Sequence, residues 1–284
     1  MHPKEFYIKM KNRRWTTFAL LFVFFVGLSV MLYPALSDYW NSRTQSKAIV
    51  DYESLLNNLD TEIYNQTFEK AEEYNRALAA LDYPLVSYST IPNYGDILNL
   101  SGNGMMGFIT IDKIGVELPL YHGTSDAVLS IAAGHVEGTS LPTGGIGTHS
   151  VISAHRGLPT ARLFTDLDRM EIGDVFTITV LDRVLTYQVD QIRIVQPNDL
   201  RYLEIDQNED FCTLLTCTPY GINTERLLVR GRRIETIEKR TIHITNDGYQ
   251  IDTLIVTPVV ALPILFVLML IVLLKPIKKP NGGV

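Results

Sequence analysis

Cysteine is nearly missing: Cys212 and Cys217 are the only two in 284 residues. A small disulfide-stapled scaffold, which needs several bridges, is therefore excluded. No Cys or His pair has zinc spacing, and no run of Asp and Asn around a central Gly marks a calcium loop. Gly144-Gly145-Ile146-Gly147 lacks the strand, Lys and helix of a phosphate loop and reads as a turn. No metal or cofactor is expected. Excess positive charge is missing too: 25 Lys+Arg face 31 Asp+Glu, for a net charge of -6 and a pI near 5.5. That argues against a nucleic-acid partner, which would require clustered cations to replace phosphate counterions. Internal repeats and low-complexity tracts are absent as well.

Two stretches lack charge altogether, and they organise the chain. Trp15 to Leu36 is 22 residues without a charge, about 33 Å of helix and long enough to cross a bilayer core of about 30 Å. A cleaved signal peptide would have a shorter apolar region, and Tyr33-Pro34-Ala35-Leu36-Ser37 is only a loose small-residue site, so a retained anchor is the reading. Leu254 to Leu274 is a second run of 21. Pro258 and Pro263 interrupt it, which a membrane helix tolerates because neighbours re-satisfy the freed carbonyls. Five basic residues and one Glu lie in residues 1–14, Lys275, Lys278 and Lys279 follow the second run, and the remainder holds 17 Lys+Arg against 30 Asp+Glu. With basic residues on both outer flanks, the positive-inside rule places 1–14 and 275–284 in the cytoplasm and about 37–253 outside. The expected localisation is a cell membrane crossed twice, with the working part extracellular and the lipid bilayer as one partner.

Between the runs the periodicity changes. From Ser46 to about Leu81, apolar residues such as Ile49, Tyr52, Leu55, Leu56, Leu59 and Ile63 recur at three and four, which predicts an amphipathic helical stalk. Tyr83 to Gly104, rich in Pro, Tyr, Ser, Asn and Gly, reads as a long loop. From Met105 the period becomes two: 107–112, 116–121, 151–154, 175–181, 185–195, 211–216 and 227–232. Seven or eight short strands, with short helices at 126–133 and 160–167, predict a mainly β fold closed into a barrel. The expected domains are 1–14 cytoplasmic, 15–36 transmembrane, 37–104 stalk and lid loop, 105–236 barrel, 237–253 linker, 254–274 transmembrane and 275–284 cytoplasmic.

The two cysteines cannot bond within one strand. Phe211 to Cys217 reads as a strand, so five steps separate the sulfurs by about 16 Å and turn them to opposite faces. Cys212, between Phe211 and Leu214, suits the core. Cys217 precedes the breaker Thr218-Pro219-Tyr220-Gly221, which ends the strand at a loop. A thiol there is either an inert small hydrophobe or a nucleophile. A nucleophile needs an acid or base and an oxyanion donor. After the loop 218–225 the chain returns as Arg226-Leu227-Leu228-Val229-Arg230, and antiparallel pairing would set Arg226 beside Cys217. An edge-strand arginine in solvent is an equally good reading of Arg226, and the better one for Arg230, Arg232 and Arg233. His122, His135, His149, His155 and His243 compete for the acid–base role. His155 ends a strand at the turn Arg156-Gly157-Leu158-Pro159, while His149 would share its face, and spacing does not choose between them.

Thr213 to Gly231, with Thr216-Cys217-Thr218-Pro219-Tyr220-Gly221 at its centre, resembles the active-site segment of sortases, specifically the pilus-assembling class C. Gly134 to Pro142 and Thr148 to Pro159 are similar to the same family, and the resemblance covers roughly 105–234. It implies an eight-stranded sortase-type barrel, a cysteine transpeptidase on the surface of a Gram-positive bacterium, and the trio His155, Cys217 and Arg226. It also implies cleavage of an LPxTG-like sorting signal between Thr and Gly and transfer of the acyl group to a pilin lysine, with pilins as partners. Wall anchoring by a housekeeping-type enzyme is the alternative, and a non-catalytic surface binding protein a more distant one. Leu141-Pro142-Thr143-Gly144-Gly145 is superficially like a sorting signal, but its spacing differs and it reads as coincidence. Class C enzymes usually carry an Asp-Pro-aromatic lid; here the stretch is Ala80-Leu81-Asp82-Tyr83-Pro84-Leu85, which leaves Asp82 and Tyr83 as the expected lid contacts.

Overall fold

The computed structural model describes residues 3–236 and 266–267. The chain forms two units, one of Leu36–Ile237 and one of Met1–Ala35 with Glu238–Val284. Helix α1 (Pro3–Leu56) runs through the first apolar stretch, with Pro34 inside it. Among the described residues it is the one helix long and apolar enough to cross a membrane, and none of its apolar window is buried. Of the second run, Phe266 and Val267 are described and helical, and the ring of Phe266 lies 5.5 Å from that of Phe25. The linker 237–253, with His243, lies outside the described residues.

The expected stalk is two helices laid against the barrel. On α1, Asp38, Asn41, Gln45, Ile49 and Tyr52 share one face by their three and four spacing. Asp38 accepts from the Arg162 backbone N–H, Asn41 donates to the Thr160 carbonyl, and Gln45 donates to the Ile131 carbonyl. Tyr52, buried, donates to Met106 O and accepts from Leu181 N. Helix α2 (Thr61–Ala79) starts where Asp60 caps the Glu62 N–H, and it buries Phe68, Ala71, Tyr74, Asn75 and Leu78. Three of the five α1 residues on this face are polar, so the apolar pattern alone understated the docking. The helix expected at 160–167 is absent: Leu163 takes a left-handed φ of 43° and only Leu167–Arg169 makes a 3-10 turn. Bonding of the Thr160 and Arg162 backbone to α1 replaces the ladder a helix would need.

Eight strands close the barrel: β1 (Met105–Ile111), β2 (Val116–His122), β3 (Ala133–His135), β4 (Thr148–Ser153), β5 (Val175–Val180), β6 (Arg183–Val195), β7 (Asp210–Thr218) and β8 (Glu225–Ile234), in the order β1-β2-β3-β4-β7-β8-β6-β5. Pairs β2–β3 and β4–β7 are parallel and the others antiparallel. Strand β3, three residues of Ala-Gly-His, is too short to show a period of two. Short helices α3 (Pro84–Ser87) and α4 (Asp126–Leu129) complete the fold. Alternation along β7 sends Cys212 and Leu214 into the main core with Ile152, Ile178 and Val229. The opposite face carries Leu215, which joins a separate apolar cluster with Val151, Val195, Leu203 and Leu228.

Candidate active site

Cys217 and Arg226 are direct partners in the β7–β8 register, as the hairpin reading expected. Both cysteines are free, Cys212 buried and Cys217 half-buried at the end of its strand. Burial pushes the Cys212 thiol well up, which removes it from nucleophilic chemistry. Arg226 Nη1 donates to the carbonyls of Asn223 and Glu225, fixing the guanidinium at the mouth of the β7–β8 loop. The parallel β4–β7 ladder ends at Ser153↔Leu215, and continuing it by two residues brings His155 level with Cys217. The three side chains thus occupy one end of three adjacent strands. Val151, Leu215 and Leu228, two or four residues back along those strands, form the apolar floor on the same face.

Burial separates the histidines that spacing left open. His149 is 1% exposed, with Nδ1 donating to Glu204 O and Nε2 accepting from Thr213 Oγ1, and burial lowers its pKa to about 4. His135 is fully buried, accepts from Tyr94 OH at Nδ1 and faces Ser140 O at Nε2, and burial lowers it to about 4 as well. Neither is an imidazolium at neutral pH. His122 is tied at both nitrogens, to Gly104 O and Ile97 O. His155 is half-buried, and its ring has no hydrogen-bond partner among the described residues.

These two neutral imidazoles give the fold an acid limit. Unfolded, each titrates near 6.5; folded, near 4. The unfolded chain therefore binds more protons between those values, and stability present above pH 6.5 is lost as pH falls towards 4. Each histidine contributes up to about 3 kcal/mol at about 1.4 kcal/mol per pH unit. Urea unfolding from pH 7 to pH 4 should show the loss, and His149→Gln should flatten it; an unchanged slope would refute neutral burial.

Asp82 and Tyr83 are both exposed, Tyr83 at 73%, and flank α3. The residues after them make the contacts. Leu85 packs against the cluster of Val151, Val195, Leu203 and Leu228 that makes the apolar floor, as Leu215 does. Pro84, Leu85 and Tyr88 cover Gly138 so closely that an added Cβ would stand 2.8 Å from the Tyr88 ring, and its φ of 83° favours glycine as well. The negative charge of the nearby Glu137 carboxylate raises the pKa of the Tyr88 phenol. Tyr94 OH donates to His135 and accepts from Gly123 N. These anchors, Leu85, Tyr88 and Tyr94, follow no Asp-Pro-aromatic pattern, so no short motif marks them.

The Gly144–Gly147 stretch is a turn, with the Gly145 N–H bonded to Asp210 Oδ2. Leu141 to Thr143 is buried beneath α2, where Asn75 bonds the Leu141 N–H and carbonyl and the Thr143 hydroxyl. It is structural and closed to an external thiol. Among the described residues no group of His, Cys, Asp or Glu is arranged to hold a metal.

Residues 109–234 match the sortase domain family model. Among solved structures, the chain is 46% identical to sortase C1 of Streptococcus agalactiae, covering 67% of this chain and 99% of that one, with a TM-score of 0.61. It is 42% identical to Streptococcus pneumoniae sortase C, the structure of which was described for its catalysis and pilin substrate specificity, covering 67% and 97% with a TM-score of 0.59. Sortase D of Bacillus subtilis is 27% identical over 133 residues, 45% of this chain, and the match spans 63% of that protein's length.

Proposed function

Because the chain belongs to the sortase family, we propose that it is a membrane-anchored cysteine transpeptidase of the pilus-assembling class, acting through Cys217, His155 and Arg226. One observation supports the assignment: Cys217 and Arg226 are direct partners in the β7–β8 register, and the parallel β4–β7 ladder ends two residues short of both His155 and Cys217. The Cys217 thiolate attacks the Thr carbonyl of an LPxTG-like signal. Arg226 supports the oxyanion, the Thr–Gly bond breaks, and His155 as imidazolium gives its proton to the leaving Gly amine. A lysine amine of the next pilin then attacks the thioester, loses its proton to His155, and releases the thiolate as an isopeptide bond forms. The apolar floor of Val151, Leu215 and Leu228 suits the Leu and Pro of the signal. Likeness to the S. pneumoniae enzyme supports a pilin as the acceptor. Incubating the full-length protein with a purified pilin tests this. A ladder of covalent multimers, lost when one pilin lysine is replaced, is expected; pilin joined only to peptidoglycan fragments would assign wall anchoring instead.

Residues 15–36 and 254–274 serve as two membrane helices, with 37–253 outside. The apolar window of α1 and the proximity of Phe25 to Phe266 support this. Protease added to intact protoplasts should remove the middle of the chain; cleavage only after lysis would reverse the orientation.

Residues 82–94 act as a lid, with Leu85 on the floor that the signal would use. Leu85→Asp would place a charge in that cluster and open the segment. Alkylation of Cys217 should then accelerate about tenfold for each ~1.4 kcal/mol of closing free energy removed. An unchanged rate in both this variant and a deletion of 83–92 would mean that the segment does not shield the thiol.

A further inference from the structure

We propose that Arg156 is a positioning residue that sets the separation of His155 and Cys217. The proposal rests on the assignment of those two as the reacting pair. Beyond Ser153↔Leu215 no strand ladder joins the two segments, and the pair is bracketed by other links. Before it, the Ala154 N–H bonds Leu215 O at 3.2 Å and Thr216 Oγ1 donates to Ala154 O at 2.8 Å. After it, Arg156 Nη1 donates to Thr218 Oγ1 at 3.3 Å. Thr216 and Thr218 are both buried and alternate with Cys217, so the links lie beneath the site and leave the sulfur open above.

The Arg156 side chain is only 8% exposed. Its Nη2 pairs with Asp168, held in the Leu167–Arg169 turn, while its Nε is buried without a hydrogen-bond partner. A buried donor left unmet is a poor way to add stability. A rigid planar fork that reaches two partners at a fixed angle is a good way to hold geometry, and lysine could not replace it. The next residue adds to the fit. Gly157 has φ 78°, and the Tyr220 ring stands 3.0 Å from where its Cβ would be. The Arg156 guanidinium lies 5.9 Å from the centroid of the same ring. Residues 155, 156 and 157 are thus matched in turn to 217, 218 and 220. The link is needed because proton transfer requires hydrogen-bond reach, and a displacement of about 1 Å costs about 100-fold in rate.

The test uses the full-length protein in detergent and a quenched fluorescent LPxTG peptide, with iodoacetamide labelling of Cys217 followed by mass mapping across pH. Arg156→Gln should lower kcat about 100-fold with KM nearly unchanged. Arg156→Lys should not rescue it. Thr218→Val, which removes one hydroxyl at nearly constant volume, should lower kcat about tenfold per folded molecule, beyond any fall in melting temperature, and the double variant should be no worse than Arg156→Gln alone. The pH profile of Cys217 labelling should change in both single variants, a response that a purely structural role would not give. Near-normal kcat in Thr218→Val and Arg156→Gln, or a loss that follows the folded fraction with an unaltered labelling profile, would overturn the proposal. Peptide cleavage that survives Cys217→Ala would overturn the site assignment itself, and this inference with it.

Discussion

Cys217→Ala should eliminate the acyl-enzyme, while Cys212→Ala should retain it. The two thiols are five residues apart on one strand, yet they live in different media. Cys212 is 0% exposed among Leu214, Ile152 and Val229, and burial with the nearby Asp210 carboxylate holds its proton. Cys217 is the penultimate residue of β7, beside Arg226, half-buried and one residue from the loop. The thiolate is the attacking species, so only the second cysteine is placed to react. Removing the Cys212 sulfur should cost about 1 kcal/mol of stability as a small core truncation. Intact mass after quenching with an LPxTG substrate measures the first effect, and thermal unfolding the second. An adduct on Cys212, or acylation of the Cys217→Ala protein, would reverse the assignment.

His155→Ala and Arg226→Ala should each reduce turnover by about 100- to 1000-fold with the barrel intact, the range expected for loss of a general acid or of an oxyanion donor. His149→Ala provides the contrast. That imidazole is itself buried and bridges Glu204 O and the buried Thr213 Oγ1, so its loss leaves the Thr213 hydroxyl unpaired and should appear mainly in stability. Steady-state kinetics beside urea melts separates the two outcomes. Normal turnover in His155→Ala, or a His149→Ala protein that is stable but inactive, would exchange the roles of these residues.

Features that depend on short stretches of chain were legible in the sequence. The apolar, uncharged run of 15–36 marked the first helix because membrane-spanning length is a local property. Seven of the eight strands showed their period of two. The Cys217↔Arg226 pairing could be read because a strand, a loop and a returning strand fix register within nine residues. Five steps along one strand likewise showed that Cys212 and Cys217 could not bond to each other.

What the sequence left open depended on segments far apart. His155 lies 62 residues from Cys217, and only the parallel β4–β7 pairing brings them level. Burial made His149 neutral and took it out of competition; no local pattern encodes burial, because it is produced by the elements that pack from elsewhere. Residues 160–167 have a helical composition but give their backbone to Asp38 and Asn41 of α1, since a bond offered by a docked helix outweighs a weak local propensity. The lid anchors Leu85, Tyr88 and Tyr94, and the link from Arg156 to Thr218, are likewise products of packing. Sequence determined the parts, the strand pair that sets thiol beside guanidinium and, by resemblance, the choice of His155; tertiary structure decided the burial of His149 and the register that carries His155 towards Cys217, because register and desolvation between distant segments exist only once the barrel has closed.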